Sequence, residues 1–359
     1  MHLSYKTRRR LEDILWAAIF FVICVNTYSM VRFWESDNYP GSELIADMIT
    51  ATVGGALGGM LLAFVHYVGQ KNRLRRYPFG FLILIETLVD LAVIITVFIP
   101  VTTASGVWFF GRTWADSLDY NLEYMQTLPF LGLVIYLLLV AALYNFMHEV
   151  SKKFGRGVML GLLMGRYHQP REESRIVMFL DLKSSTTHAE KLGHIRYSRL
   201  IQDCFFDLNT VLIAYEAYIY KYVGDEAILS WTVESGIRTA NCLQIFFGFH
   251  KRLEERKEWY LAEYGIQPIF KAGLNVGQIT IAEVGEDRRE IEYHGDVLNT
   301  AARIQGQCNE YGKRMLISED LNELLKDSGE YQFEEIGELE LKGKNQKVRI
   351  YSVEENDLG

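Results

Sequence analysis

Tyr220-Lys-Tyr-Val-Gly-Asp-Glu-Ala-Ile-Leu-Ser-Trp231 is the stretch that decides how the second half of this chain folds. Apolar and aromatic residues flank a Gly-Asp pair, the composition of two β-strands joined by a tight turn. Asp225 then stands at a hairpin tip, within reach of solvent and ligand. Lys221 lies four residues earlier, an even offset along an extended strand. A second carboxylate, Asp181, ends another strand-like run, Ile176-Val-Met-Phe-Leu-Asp181. Two strand-end carboxylates brought side by side can hold divalent metal beneath a nucleotide's phosphates. Taken alone, the pair has a plainer reading: a Gly-Asp turn, and an aspartate capping the helix that follows.

Outward from the hairpin, the apolar periodicity alternates between strand and helix. Arg175–Leu182 reads as a strand, His188–Glu216 as a helix and Glu234–Tyr264 as another helix. Pro268–Val276 and Gln278–Val284 read as two strands joined at Gly277. Asp296–Gln307 reads as a helix with Asp296 as its N-cap. Met315–Ser318, Glu319–Lys326, Gln332–Leu341 and Val348–Val353 finish as strand, helix, strand, strand. The pattern is that of an α+β domain with a mostly antiparallel sheet. Asn299 and Arg303 are four apart at the start of their helix, so they share a face. One offers an amide and the other a planar cationic fork suited to phosphate oxygens. A solvated helix face has the same composition.

The first half is different. Four apolar runs, about 13–33, 44–68, 79–103 and 128–148, are each long enough to cross a hydrocarbon core of ~30 Å as a helix. Lys6, Arg8, Arg9 and Arg10 precede the first run. Lys71, Arg73, Arg75 and Arg76 separate the second from the third, and Lys152, Lys153 and Arg156 follow the fourth. These flanks predict both termini on the cytoplasmic side and the loops Glu35–Glu43 and about 103–127 facing outward. The first run is too long for a signal peptide and reads as an uncleaved anchor. Gly54, Gly55, Gly58 and Gly59 allow close helix approach, within one chain or between two. Glu86 and Asp90 are four apart in the third span, with His66 of the second as a candidate partner.

The expected organisation is therefore a four-span α-helical transmembrane bundle over 1–150, a connector over 151–174 and a cytoplasmic α+β domain over 175–359. The net charge of −8 and the lack of a basic stripe exclude a nucleic-acid partner. Cys24, Cys204, Cys242 and Cys308 form no C-x-x-C, which predicts reduced, structural thiols.

Four motifs occurring in order raise these readings to a family resemblance. Phe179-Leu-Asp-Leu-Lys-Ser-Ser-Thr186, Lys221-Tyr-Val-Gly-Asp225, Gly295-Asp-Val-Leu-Asn-Thr-Ala-Ala-Arg303 and Leu341-Lys-Gly-Lys344 resemble the class III nucleotidyl cyclase catalytic domain over about 166–355. The resemblance implies a ferredoxin-like sheet with helices and a membrane-anchored adenylyl cyclase making cyclic AMP and pyrophosphate. It implies that Asp181, Asp225 and the Leu182 carbonyl hold two divalent cations, Mg²⁺ or Mn²⁺. Asn299 would orient the ribose and Arg303 stabilise the transition state. Lys342 would meet the terminal phosphates, and the amides of Lys183, Ser184, Ser185 and Thr186 would cradle phosphate. Lys221 and Glu292 fall on the base-reading positions. Lysine suits adenine N1 and the carboxylate suits the 6-amine, although Glu stands where Asp or Thr is more usual. A homodimer in a bacterial inner membrane, with the metal aspartates from one copy and the Asn/Arg pair from the other, completes the expectation. A guanylyl cyclase, or a nucleotide-binding output domain of a membrane receptor, are the alternatives the sequence leaves open.

Overall fold

The computed structural model of the chain describes residues 5–35, 41–69, 78–154, 161, 164–287, 289–340 and 347–356. It divides into two compact units, Met1–Arg156 and Gly157–Gly359.

The first unit is helical. α1 (Tyr5–Glu35), α2 (Gly41–Gly69), α3 (Phe79–Phe110) and α5 (Leu128–Phe154) are each long and apolar enough to span a membrane. The third span runs on to Phe110 because Pro100 is accommodated inside the helix, which ends where Gly111 turns left-handed. The loop expected over 103–127 holds a further helix, α4 (Trp114–Tyr124), capped by Thr113. Its buried side is polar and matched to α3: Ser117 Oγ donates to the Thr103 carbonyl at 2.8 Å and Asn121 Nδ2 to Thr103 Oγ1 at 2.9 Å. Gly55 and Gly59 pack α2 flush against α1 of the same chain. A Cβ on Gly59 would sit 2.7 Å from the Ala17 carbonyl, and one on Gly55 2.9 Å from the Val22 backbone. Asp90 is fully buried and doubly partnered, by His66 Nε2 at 2.7 Å and Asn145 Nδ2 at 2.8 Å. An intramembrane acid held this way has its polar oxygens satisfied within the bundle. The expectation that His66 meets this face therefore holds.

The second unit is an α+β fold. Its strands are β1 (Arg171–Leu182), β2 (Tyr218–Val223), β3 (Glu226–Thr232), β4 (Phe270–Val284), β5 (Glu290–His294), β6 (Met315–Ser318), β7 (Tyr331–Glu340) and β8 (Lys347–Glu355). They form one sheet in the order β2-β3-β1-β4-β6-β8-β7, with β5 paired to the outer half of β4. Only β4 and β6 are parallel among the described pairs. Residues 176–180 of β1 are buried without interruption because the strand is covered on both faces. Ile176, Met178 and Leu180 join the main core with α6 (Ser185–Leu212) and α8 (Asn241–Glu255). Val177 and Phe179 face the other way, toward Ile228, Ile279, Val297 and Ala301.

Several expected boundaries shift for local reasons. The helix expected over Glu234–Tyr264 is broken into α7 (Val233–Ile237), α8 and α9 (Lys257–Tyr264). Thr239 and Ala240 take positive φ, and the buried Asn241 donates to the Ser235 carbonyl at 2.9 Å. Arg256 leaves the helix to meet buried Asp207, Nη1 to Oδ2 at 2.6 Å. The two strands expected around Gly277 are one 15-residue strand, β4. Gly277 is a packing position, since a Cβ there would lie 2.7 Å from Val297 Cγ2. That valine belongs to α10 (Asp296–Gln307), whose N-cap is Gly295 at φ 149°. Asp296 is its first helical residue and accepts from Thr300 Oγ1 at 3.0 Å instead of capping. The described cysteines are free thiols.

Candidate active site

The β2–β3 hairpin turns through Gly224 at φ 63°, a conformation that glycine adopts without a Cβ clash. Val223 pairs with Glu226 across the turn, so Asp225 sits at the tip as expected. Asp181 lies beside it through the sheet register, in which Asp181 pairs with Glu226 on β3 and with Lys271 on β4. Directly paired residues project on the same side of a sheet. Glu226, Asp181 and Lys271 therefore form one row across three strands, with Asp225 at its edge.

That row is electrostatically loaded. Lys271 Nζ lies 3.2 Å from Asp181 Oδ2, and Gln305 Nε2 of α10 donates to the same oxygen at 3.0 Å. Burial raises the Asp181 carboxyl above its ordinary range and Asp225 adds to the rise, more than Lys271 and Gln305 offset. Glu226 is pushed up to about 7, by burial first and then by Asp181 and Asp225. Tyr197 of α6 is pushed up to about 12 by burial and by the Asp225 charge. One lysine thus faces three clustered carboxylates, and Asp225 Oδ2 is buried with no hydrogen-bond partner among the described residues. Hard oxygen donors in this condition suit a divalent cation. No group of three or more His, Cys, Asp or Glu side chains is arranged as a ready cage among the described residues. What the described side chains offer such an ion is accordingly the Asp181–Asp225 carboxylate pair. Lys271, Glu226, Gln305 and Tyr197 were not singled out in the sequence. The available signal was Lys271, a lone charge in the apolar run Ile269-Phe-Lys-Ala-Gly-Leu274.

After Leu182 the chain turns through Ser184, a non-glycine residue at φ 60°, and α6 opens at Ser185. His188 N donates to the Ser184 carbonyl at 3.1 Å, so the amides of Ser185 and Thr186 precede the first intrahelical bond. The Lys183 amide is already committed, donating to the Ile269 carbonyl at 2.8 Å. Ser184 and Lys183 are both exposed.

Lys221 and Glu292 come together despite lying on strands β2 and β5, because the β4–β5 hairpin packs Ile291 and Tyr293 with Tyr220 in the second core. Lys221 Nζ is 2.6 Å from Glu292 Oε1 and 3.5 Å from Glu290 Oε2. The bond to Glu292 raises the Lys221 ammonium above its ordinary value. Burial pushes the Glu292 carboxyl up, but the bonds from Lys221 and Tyr220 outweigh it and hold Glu292 below the usual carboxylate range.

Asn299 and Arg303 share one face of α10, as their spacing requires. Asn299 is exposed and Arg303 half-buried. The opposite face, Val297, Thr300, Ala301, Ile304 and Gln305, is buried against the sheet. Gln305, which touches Asp181, is about 200° around the helix from Arg303. The Asn/Arg pair thus projects away from the carboxylates of its own chain. Lys342 and the rest of 341–346 lie outside the described residues.

The adenylate and guanylate cyclase catalytic domain family matches residues 167–355. Adenylate cyclase 2 of Rhizobium meliloti (strain 1021) is 34% identical over 231 residues, 64% of each chain. Adenylate cyclase 1 of the same organism is 25% identical over 218 residues, 59% of this chain and 32% of that one. The chain thus spans less than two thirds of the length of these relatives. A bacterial light-regulated adenylyl cyclase structure is similar in fold, with a TM-score of 0.52 at 16% identity over 60% of this chain and 62% of the other.

Proposed function

Since this chain belongs to the adenylate and guanylate cyclase catalytic domain family, we propose that it converts ATP to 3′,5′-cyclic AMP and pyrophosphate, at sites shared by two copies of the chain. The observation that carries adenine over guanine is the Lys221–Glu292 pair, 2.6 Å apart although β2 and β5 are not paired in the sheet. Opened onto a base, it presents one donor and one acceptor, matching adenine N1 and the 6-amine.

In this reading the ribose 3′-oxygen attacks the α-phosphorus, the bond to the β-phosphate bridge oxygen breaks, and pyrophosphate leaves. Asp181 and Asp225, with the Leu182 carbonyl, are the groups that hold two divalent cations, Mg²⁺ or Mn²⁺. When bound there, such cations lower the pKa of an attacking hydroxyl and neutralise phosphate charge. The amides of Ser184, Ser185 and Thr186 face the phosphates at the opening of α6. Lys183 contributes its ammonium, its amide being used within the fold. Lys342 meets the terminal phosphates. Asn299 orients the ribose, and Arg303 stabilises charge developing around phosphorus.

The orientation of α10 supports a shared site. Its functional face turns away from the carboxylates of its own chain, so one copy carries both halves without joining them. A head-to-tail pair brings each half to the other and makes two equivalent sites. The four spans raise the local concentration of partners in the bilayer. The basic flanks of the spans support an inner-membrane topology with both termini and the catalytic unit in the cytoplasm.

The test is product formation by the full-length chain in lipid, given ATP or GTP with Mg²⁺ or Mn²⁺, beside an Asp181→Ala control. Cyclic AMP that disappears in the control is expected. Cyclic GMP as the main product, or activity that survives Asp181→Ala, contradicts the reading.

A further inference from the structure

Strand β2 carries an irregularity at the base-reading end. Ile219 pairs with Leu229 but Lys221 pairs with Ile228, so Tyr220 is the extra residue of a β-bulge. In a regular strand consecutive side chains point to opposite faces, and a bulge re-aims one of them. Here the consequence is specific: Tyr220 and Lys221, adjacent in sequence, both reach Glu292. Lys221 Nζ donates to Oε1 and the Tyr220 hydroxyl donates to Oε2. Tyr220 is fixed in turn. Its oxygen accepts from the Tyr293 amide at 3.0 Å, and its ring stacks on Tyr293 with centroids 4.0 Å apart and 10° between planes. Glu290, on the strand that carries Glu292, is a further charged neighbour of the pair.

We propose that Tyr220 is a specificity-positioning residue that holds one oxygen of Glu292 and leaves the other for the base, and so favours ATP over GTP. This rests on the cyclase reading above. Adenine presents one outward amine hydrogen beside N1, and a single carboxylate oxygen matches it once Lys221 turns to N1. Guanine presents N1–H and a 2-amine side by side, a pair that both oxygens of a free carboxylate accept together. With Oε2 held by Tyr220, that two-oxygen pose is withheld. Discrimination thus comes as much from an acceptor denied to guanine as from a contact offered to adenine.

Tyr220→Phe removes only the hydroxyl and keeps the ring stack and the bulge. The assay is kcat/KM for ATP and for GTP with full-length protein in lipid, with Tyr222→Phe as the comparison. The Tyr222 hydroxyl accepts from Asn209, so its loss tests the removal of a hydroxyl from the same strand away from Glu292. The expected result is a fall of about tenfold in the ATP-to-GTP ratio, equivalent to about 1.4 kcal/mol. The change is carried mainly by KM, and Tyr222→Phe leaves the ratio unmoved. A structural role alone lowers both nucleotides together and leaves the ratio constant, which overturns the assignment while the cyclase reading stands. A wild-type chain that makes no cyclic nucleotide overturns both.

Discussion

Gly273 of β4 tests whether the seat of α10 governs turnover. A Cβ built there lies 2.2 Å from the Gln305 amide nitrogen, 2.5 Å from Gln305 Cα and 2.6 Å from the Ala301 carbonyl. All three are helix backbone, so no rotamer change relieves the clash. Gly273→Ala must therefore lift α10 by about 1 Å to restore ordinary contact distance. Overpacking of this kind costs about 1–3 kcal/mol of stability. The same lift moves Gln305 off Asp181 and carries Asn299 and Arg303 with it. A displacement of that size lowers turnover by about 100-fold. Gly277→Ala is the graded comparison, because its Cβ meets the Val297 side chain, Cγ2 at 2.7 Å, and not helix backbone. The assay pairs urea unfolding of residues 157–359, followed by the fluorescence of buried Trp231, with cyclic AMP formation by the full-length chain. Gly273→Ala is expected to be folded, less stable and slow, with Gly277→Ala clearly less affected in both readouts. Wild-type turnover in Gly273→Ala, or equal losses in both variants, refutes the reasoning.

Other outcomes follow from the packing. Asp207 is fully buried and receives Arg252 at 3.2 Å, Arg256 at 2.6 Å and Tyr260 at 2.7 Å; Asp207→Ala takes the buried partner from Arg256 and the Tyr260 hydroxyl and is expected to cost about 3 kcal/mol in urea unfolding. His250 is held neutral by burial, its value lowered from 6.5 to about 4, with Nε2 on the Phe270 carbonyl at 2.9 Å. Between these values the unfolded chain binds a proton that the folded chain does not. Stability of the second unit is therefore present above pH 6.5 and falls as pH drops toward 4, by at most about 3 kcal/mol, and His250→Gln is expected to flatten that limb. In the membrane unit, Asn26 Nδ2 donates to Thr52 Oγ1 at 3.0 Å across α1 and α2. A cysteine pair at these positions is expected to cross-link within one chain, and Gly59→Val to abolish the link by forcing the helices apart.

The sequence signals that survived folding are those with strong local causes. The Gly-Asp turn, the covered β1 run and the four apolar spans each follow from residues close together in the chain. Asn299 and Arg303 share a face because helical spacing admits nothing else. What was not legible depends on distant packing. Gly277 looks like a strand break until Val297 is seen against it. Helix α4 is short and mixed in composition, and its buried Ser117 and Asn121 make sense only against Thr103. The bulge at Tyr220 is invisible in the hairpin's composition, since β-branched and aromatic residues continue through it. Lys271 and Glu226 join Asp181 only through strand register, which pairs residues 45 and 90 positions away in sequence.

The most direct measurement concerns the shared site. Chains carrying Asp225→Ala and chains carrying Arg303→Ala are each expected to make no cyclic AMP from ATP. Co-expressed in one membrane, they pair at random. A mixed head-to-tail dimer then has one site lacking both groups and one intact site. Equal expression is expected to restore about a quarter of wild-type activity. Continued silence of the mixture, with both variants folded and pairing, contradicts a site built from two copies.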